Sequence, residues 1–305
     1  MNNIRFYIFV TLVAGFSSLN PVAIDIFLPA MPAIALSMAV EPGIVGMSIG
    51  IFTIGTAIGQ IMFGPISDRF GRKPVVIFGL LLYIVAAIVA PYSSNIEILS
   101  SVRFIQGVGA ASGRIIAVAI VRDLHTREEA AKLLSHIWMV STFMPIVNPF
   151  IGSILVRYFD WSSVFICMAI FAGVIVVLTV LYFKETLIQK NLNALNPIQM
   201  LGNFKTIGTN RTFLIYMLIG SISVSSLYGF LANVADLLIT QYKQSPTVFA
   251  GQFAIVMLGS LIGSYISGRL SIKLGINRVI KIGILITASA STAFLILTLS
   301  GIFTV

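Results

Sequence analysis

The chain has 305 residues, a formal net charge of +9 and only 10% charged residues. Hydrophobic residues make up 58% of it and the mean hydropathy is +1.02, which excludes an ordinary soluble domain.

Nine segments of membrane-spanning length follow one another along the chain. Eight carry no charge, and the ninth, 98–121, contains only Arg103 and Arg114 as charged residues. A helix needs roughly 20 apolar residues to cross a hydrocarbon core. Because the runs are continuous rather than alternating, the sequence predicts an all-α integral membrane protein and not a barrel. The charge-free runs are 6–24, 42–67, 74–96, 133–156, 161–183, 212–235, 244–268 and 282–305.

The basic residues are distributed unequally between the two sides of the predicted membrane. Fifteen of the nineteen lie in segments on the N-terminal side, whereas Arg157 and Lys243 lie on the other. This asymmetry predicts a multi-pass protein of the cell membrane with a cytoplasmic N-terminus, in the inner membrane if the source is Gram-negative. It also explains the positive charge without nucleic acid.

Asp25, in the first span, is the only acid well inside the first six predicted helices. If that helix covers about 6–30, Asp25 lies roughly 10 Å outward of the membrane midplane. Ionisable groups inside a bilayer are usually functional, so we expect a site that binds and releases a proton. The alternative is an interfacial carboxylate at a helix end, because Pro29 and Pro32 can end the helix.

The stretch "GPISDRFGRKPV", residues 64–75, separates the second and third spans. It predicts a tight cytoplasmic turn of about seven polar residues. Glycines there permit close approach and unusual backbone angles, and Asp68 can favour the start of the next helix and pair with a nearby arginine. The alternative is a solvated basic loop that only fixes topology. The residues assigned to this gate loop are Gly64, Asp68, Arg69, Gly71 and Arg72.

The fourth span supplies three further candidates for the transport cavity. Arg103 lies roughly 9 Å outward of the midplane, and Arg114 shares its helical face roughly 16 Å deeper. Arginine does not release its proton, so Arg103 is expected to tune a partner, while Gln106 orients it or meets substrate. The alternatives are a structural ion pair or snorkelling for Arg103, a helix–helix hydrogen bond for Gln106, and snorkelling for Arg114.

These motifs carry a family resemblance. The pattern G-x-x-S-D-R-F-G-R-K-P at 64–74 resembles the loop 2–3 signature of the major facilitator superfamily. Four others, "AIDIFLPAMP" (23–32), "RFIQGVGAASG" (103–113), "RDL" (122–124) and "KET" (184–186), together resemble the bicyclomycin-resistance group of drug:proton antiporters. The resemblance implies twelve helices around a central cavity, with helices 1 and 4 adjacent. Asp25 and Arg103 would then share one layer.

The resemblance also implies two six-helix halves. Ser267-Gly268-Arg269 is a weaker echo of Ser67-Asp68-Arg69, 200 positions on, which is the length of one six-helix repeat. We therefore predict a complete N-terminal half at 1–183, a cytoplasmic linker at 184–212 and three helices of the second half at 213–305. The fifth span departs from the antiporter pattern G-P-x-x-G-G, because "NPFIGS" at 148–153 has Asn148 and Ser153 at two glycine positions. A helix kink is still expected there, at Pro145, Pro149 and Gly152.

The resulting prediction is a proton-coupled multidrug exporter that is shorter than its family. The alternatives are a major facilitator transporter of a metabolite, and a non-transporting remnant. No nucleophile–base pair and no metal-ligand cluster is apparent, so we expect no enzyme, no metal and no cofactor besides the proton gradient. In the family, Asp68 is thought to act with the inner end of helix 11. That helix lies beyond these 305 residues, so this chain alone is expected to insert in the membrane without conferring resistance.

Overall fold

The computed structural model describes residues 3–124 and 126–300, except for the side chains of some positions within its helices. The described residues form α-helices and a few tighter or wider helical turns, with no strand. The α-helices are α1 (Asn3–Asp25), α2 (Met31–Met38), α3 (Pro42–Phe70), α4 (Arg72–Val89), α5 (Ile96–Leu124), α6 (Arg127–Tyr158), α7 (Ser162–Tyr182), α8 (Pro197–Gly208), α9 (Arg211–Ala235), α10 (Pro246–Leu274) and α11 (Ile276–Leu299).

Eight helical segments in the described part of the chain are long and apolar enough to cross a membrane. The predicted all-α membrane fold is therefore confirmed. The first segment runs from Phe9 to Met38, because a short 3-10 turn at Leu28–Ala30 joins α1 to α2. It extends beyond the 6–30 expected from the sequence. The predicted span 133–156 lies within α6, which is 32 residues long.

Contacts between residues divide the chain into two compact units, Met1–Gly251 and Gln252–Val305. In the first unit α5 packs against α1, α3 and α4. Glycines allow this approach, because Gly107 lies against the backbone of Phe52 and Gly113 against that of Phe16. A side chain at either position would overlap the neighbouring main chain, so these contacts fix the height of α5 and of the polar residues it carries.

The helix α9 also belongs to the first unit and packs on α3, where Gly46 meets the carbonyl of Ala232. Most other α9 side chains are exposed, and so are those of α11 in the second unit. Apolar side chains that face outward suit a lipid environment. The domain limits at 183/184 and 212/213 stay predictions, because a grouping by contacts does not test a repeat.

Candidate functional site

The carboxyl group of Asp25 is buried at the end of α1, with 4% of the residue exposed. Its hydrogen bond comes from Asn148 of α6, whose Nδ2 donates to Oδ2 at 3.4 Å. Within the described residues no cation pairs with it. Because Phe9–Met38 forms one membrane segment, Asp25 lies close to its middle. This position favours a site inside the membrane over the interfacial alternative, and both stay predictions.

Arg103 is fully buried near the start of α5. Its guanidinium lies between two aromatic rings, at 4.6 Å from the centroid of Phe27 and 4.5 Å from that of Phe52. Nη1 donates to Oε1 of Gln106 at 2.8 Å. Nε and Nη2 are buried without a hydrogen-bond partner in the described structure. The cation is thus stabilised by the faces of two rings rather than by a carboxylate.

Asp25 and Arg103 lie in one region but form no ion pair in the described structure. Phe27 connects them, because it follows Asp25 by two residues and carries the ring that covers Arg103. The hydroxyl of Tyr83 is buried within electrostatic reach of Arg103, and it makes no hydrogen bond of ordinary geometry. The site therefore keeps spare hydrogen-bonding capacity on both its acidic and its basic member.

The other two cavity candidates differ from each other. Gln106 is buried and links α5 to α7, because its Nε2 lies 3.5 Å from the sulfur of Met168. It therefore contacts both Arg103 and α7, and its part in substrate binding stays a prediction. Arg114 is exposed. Tyr228 of α9 lies within electrostatic reach of both Arg114 and Asp25. Nothing in the charge-free span 212–235 distinguishes Tyr228, so it is not among the residues predicted from the sequence.

The proline-containing part of α6 contributes to the same site. Pro145 and Pro149 lie inside α6, which continues as one α-helix through both, so the expected kink stays a prediction. Gly152 meets the backbone of Ile26, which makes it a close-packing residue. Asn148 occupies a glycine position of the family pattern and supplies the hydrogen bond to Asp25. The departure from the pattern is thus part of the site.

A second polar site surrounds Arg72 at the junction of α3 and α4. We name Ser67, Asp68, Arg72, Asp123 and Glu185 the Arg72 cluster. Nη1 of Arg72 donates to Oδ1 of Asp68 and to Oγ of Ser67, both at 2.6 Å, and Nε donates to Oδ2 of Asp123 at 3.0 Å. The motifs "SDRFGRK", "RDL" and "KET", far apart in sequence, therefore meet in one place.

Glu185 holds the start of α4. Its carboxylate accepts the backbone N–H groups of Arg72 and Lys73, at 2.9 Å and 3.0 Å, and those of Thr186 and Leu187. Partial burial raises the pKa of this carboxyl, but the four N–H donors outweigh that effect and hold the pKa below its ordinary value. Glu185 thus satisfies N–H groups that a helix start leaves unpaired.

The expected seven-residue loop between α3 and α4 is wrong, because Gly71 alone separates the two helices. Asp68 and Arg69 belong to the last turn of α3, so Asp68 does not favour the start of α4. Gly71 has φ +112°, an unusual backbone angle that favours glycine. A side chain at this position would also meet Glu185. Gly64 has open space around its α-carbon and makes no close approach. Arg69 is exposed, with its guanidinium 5.5 Å from the Phe70 ring.

Comparison with known proteins decides the family. Residues 11–305 match the family model described as Major Facilitator Superfamily. The chain belongs to the Major Facilitator Superfamily. It is 27% identical over 280 residues to the bicyclomycin resistance protein homolog of Haemophilus influenzae, an alignment that covers 92% of this chain and 70% of that protein. It is 28% identical over 239 residues to the multidrug resistance protein MdtL of Escherichia coli, covering 78% and 59%.

Solved structures of the superfamily share the fold. The bacterial homologue of the human lysosomal transporter Spinster, inward-facing and unoccupied, matches with TM-score 0.71 and 16% identity over 90% of this chain and 64% of that one. The Escherichia coli xylose transporter XylE, partially occluded and inward open, matches with TM-score 0.66 and 16% identity over 88% and 72%. The chain is therefore a multi-pass membrane transporter of small molecules and not an enzyme.

Proposed function

We propose that this superfamily member exports small drugs in exchange for protons. The observation that carries the proposal is Asp25, a carboxyl group near the middle of a membrane segment with one long hydrogen bond and no cation partner in the described structure. Such a group is costly inside a bilayer unless it has a function. The similarity to bicyclomycin-resistance and MdtL proteins supports drugs as the substrate.

In the proposed mechanism Asp25 alternates between a protonated and a charged form as the cavity opens to either side. Asn148 holds the carboxyl in place in both forms, because its amide carries donors and an acceptor. Arg103 remains charged between Phe27 and Phe52, and its unpaired N–H groups offer hydrogen bonds to the charged form. The proton gradient supplies the energy, and no cofactor takes part.

The proposal includes the orientation of the chain. The excess of basic residues on the N-terminal side favours a cytoplasmic N-terminus, in the inner membrane where the source is Gram-negative. The Arg72 cluster and the segment after α7 would then face the cytoplasm. A reporter that fluoresces only in the cytoplasm, fused after residue 191 or after residue 243, tests this orientation. We expect a signal from the first fusion alone, and the reverse result would contradict it.

Transport is tested with Asp25→Asn in a drug-sensitive strain that lacks its own exporters. Because the chain spans 70% of the length of its Haemophilus influenzae relative, the 305 residues and a form extended to the full length of that relative are expressed side by side. We expect the extended form to export drug until a protonophore is added, and its Asp25→Asn variant to reach the membrane without exporting. Unchanged gradient-driven export by the variant would falsify the role of Asp25, and movement of only a metabolite would favour a different substrate class.

A further inference from the structure

The helix α8, between the predicted halves, presents an uncovered apolar surface. Its apolar side chains occupy roughly one half of the helix circumference, at 3.6 residues per turn. Ile198 is 81% exposed and Leu201 68%, so the described chain does not cover this half. The opposite half contains Gln199, Gly202 and Thr206. The residues of the apolar half are Ile198, Met200, Leu201, Phe204 and Ile207.

Both ends of this segment are held at the membrane. The backbone N–H of Asn191 donates to the carbonyl oxygen of Asp68 at 3.0 Å, which ties the linker to the last turn of α3. At the other end α8 stops at Gly208, three residues before the membrane-spanning α9 begins at Arg211. Three residues reach about 10 Å at most, so the C-terminal end of α8 stays near the bilayer surface.

The charges around α8 have one sign. No acidic residue occurs from 186 to 235, whereas Lys190, Lys205 and Arg211 flank or lie on the helix. Lys205 is exposed near one edge of the apolar half, where its long side chain can reach the head groups while its methylene groups stay with the apolar residues. Basic segments next to a membrane helix are attracted by anionic lipids.

We propose that α8 lies flat in the membrane interface on the N-terminal side of the bilayer, with its apolar half among the acyl chains and with a preference for anionic head groups. An amphipathic helix of this kind binds by apolar burial together with electrostatic attraction. The proposal does not depend on what the protein transports, because it requires only that α3 and α9 be embedded. It assigns the linker a lipid-binding surface in place of a freely solvated connection.

The chain offers a matched pair of positions for the test. In a Cys167→Ser background, Leu201→Cys and Thr206→Cys are each labelled with an environment-sensitive fluorophore. Both side chains are exposed in the protein itself, so any difference between them is caused by lipid. In reconstituted vesicles we expect lipids brominated near the head group to quench the Leu201 label several-fold more strongly than the Thr206 label. We expect iodide, which stays in water, to show the opposite order.

Equal quenching of both labels by iodide would overturn the proposal, because α8 would then be solvated all round. Shielding of the Leu201 label from both quenchers would also overturn it, because protein would then cover the apolar half. The pair Ile198→Cys and Gln199→Cys repeats the comparison at the start of α8. Elution of each variant as the wild-type species on size exclusion shows that the fold is kept.

The preference for anionic lipid has its own measurement. With the Leu201 label, vesicles of phosphatidylcholine are compared with vesicles that also contain phosphatidylglycerol. We expect stronger quenching by brominated lipid in the anionic vesicles, and we expect Lys205→Gln to lose part of that increase. Added salt should reduce it as well, since exposed charges are screened. Identical quenching in both vesicles would overturn the head-group preference and leave apolar burial alone.

Discussion

Two buried arginines in the same chain differ in how many of their hydrogen-bond donors have partners. Arg72, at the junction of α3 and α4, donates three side-chain hydrogen bonds within its cluster. Arg103, inside the membrane segment α5, donates one, and two of its nitrogens have no partner in the described structure. The Arg72 cluster is a fully bonded joint between helices, whereas the Asp25–Arg103 region is held in place by packing.

The difference separates stability from function. A buried polar network that is fully satisfied rigidifies the structure, and removing one member leaves the others unpaired. A site with spare donors and acceptors can change partners, as a carboxyl group that gains and loses a proton requires. We therefore expect substitutions in the Arg72 cluster to act mainly on stability, and substitutions around Asp25 and Arg103 to act mainly on transport.

The largest change in stability is expected for Arg72→Gln. It removes the cation that Asp68 and Asp123 share, and the loss should be about 2 kcal/mol because both carboxylates keep some access to solvent. Heating purified protein with a thiol-reactive dye reports unfolding through Cys167, the single cysteine. The matched control is Arg69→Gln, which should change stability by less than about 0.5 kcal/mol. Equal losses would mean that the cluster has no special role.

The two glycines assigned to the gate loop should respond in opposite directions. Gly71→Ala forces a side chain into a positive-φ conformation and against Glu185, so we expect a loss of about 1–2 kcal/mol. Gly64→Ala places a methyl group in open space within α3, so we expect a gain of about 0.5 kcal/mol. The same unfolding assay measures both. A gain at Gly71 would contradict the described joint.

Arg103→Lys should separate the effect on stability from the effect on transport. Lysine can still donate to Gln106 and removes unpaired N–H groups, so we expect stability to change by no more than about 1 kcal/mol despite the weaker ring contacts. Lysine lacks the planar fork of arginine, so we expect proton-dependent export by the extended form to fall by about tenfold. Arg72→Lys serves as the reverse case, with the larger loss in stability. Arg72→Lys should therefore be the less stable variant, and Arg103→Lys the one with the larger loss of export. If the same variant is the more impaired in both assays, the distinction between the two arginines is wrong.

The most local effect is expected for Glu185→Gln. Without the carboxylate, the amide hydrogens of Arg72 and Lys73 should exchange with solvent about fivefold faster near neutral pH, which corresponds to about 1 kcal/mol. The control is Glu41→Gln, because Glu41 precedes α3 without capping it.

The pH dependence of this contact follows from the lowered pKa of Glu185. A carboxyl group whose pKa is lower in the folded state stabilises that state above its ordinary pKa, and this contribution is lost as the pH falls through the folded-state value. The difference between wild type and Glu185→Gln should therefore be full at neutral pH and disappear in acid. A difference that grows on acidification would show that another group is responsible.

The sequence predicted the helices well and their contacts less well. Apolar runs of spanning length define the membrane segments because lipid demands an internally bonded backbone. By contrast, the charged stretch around Asp68 suggested a loop, although Asp68 and Arg69 are helical. The pairing of Asp68 with a nearby arginine was expected and is found at Arg72. The other partners, Asn148 for Asp25 and Glu185 for Arg72, lie on distant segments, and no local pattern can pair them. "KET" was recognised only as a family motif, so the contact between Glu185 and the start of α4 came from the structure alone.

The single residue between α3 and α4 has a mechanical consequence. A one-residue joint whose backbone angle is fixed leaves no slack, so α4 cannot tilt without moving the last turn of α3. The same turn is tied to the linker through the carbonyl of Asp68, which accepts from Asn191. A displacement of the linker would therefore act on both α3 and α4 at their shared junction. Gly71 therefore couples α3 and α4, so that the two helices move together at this end.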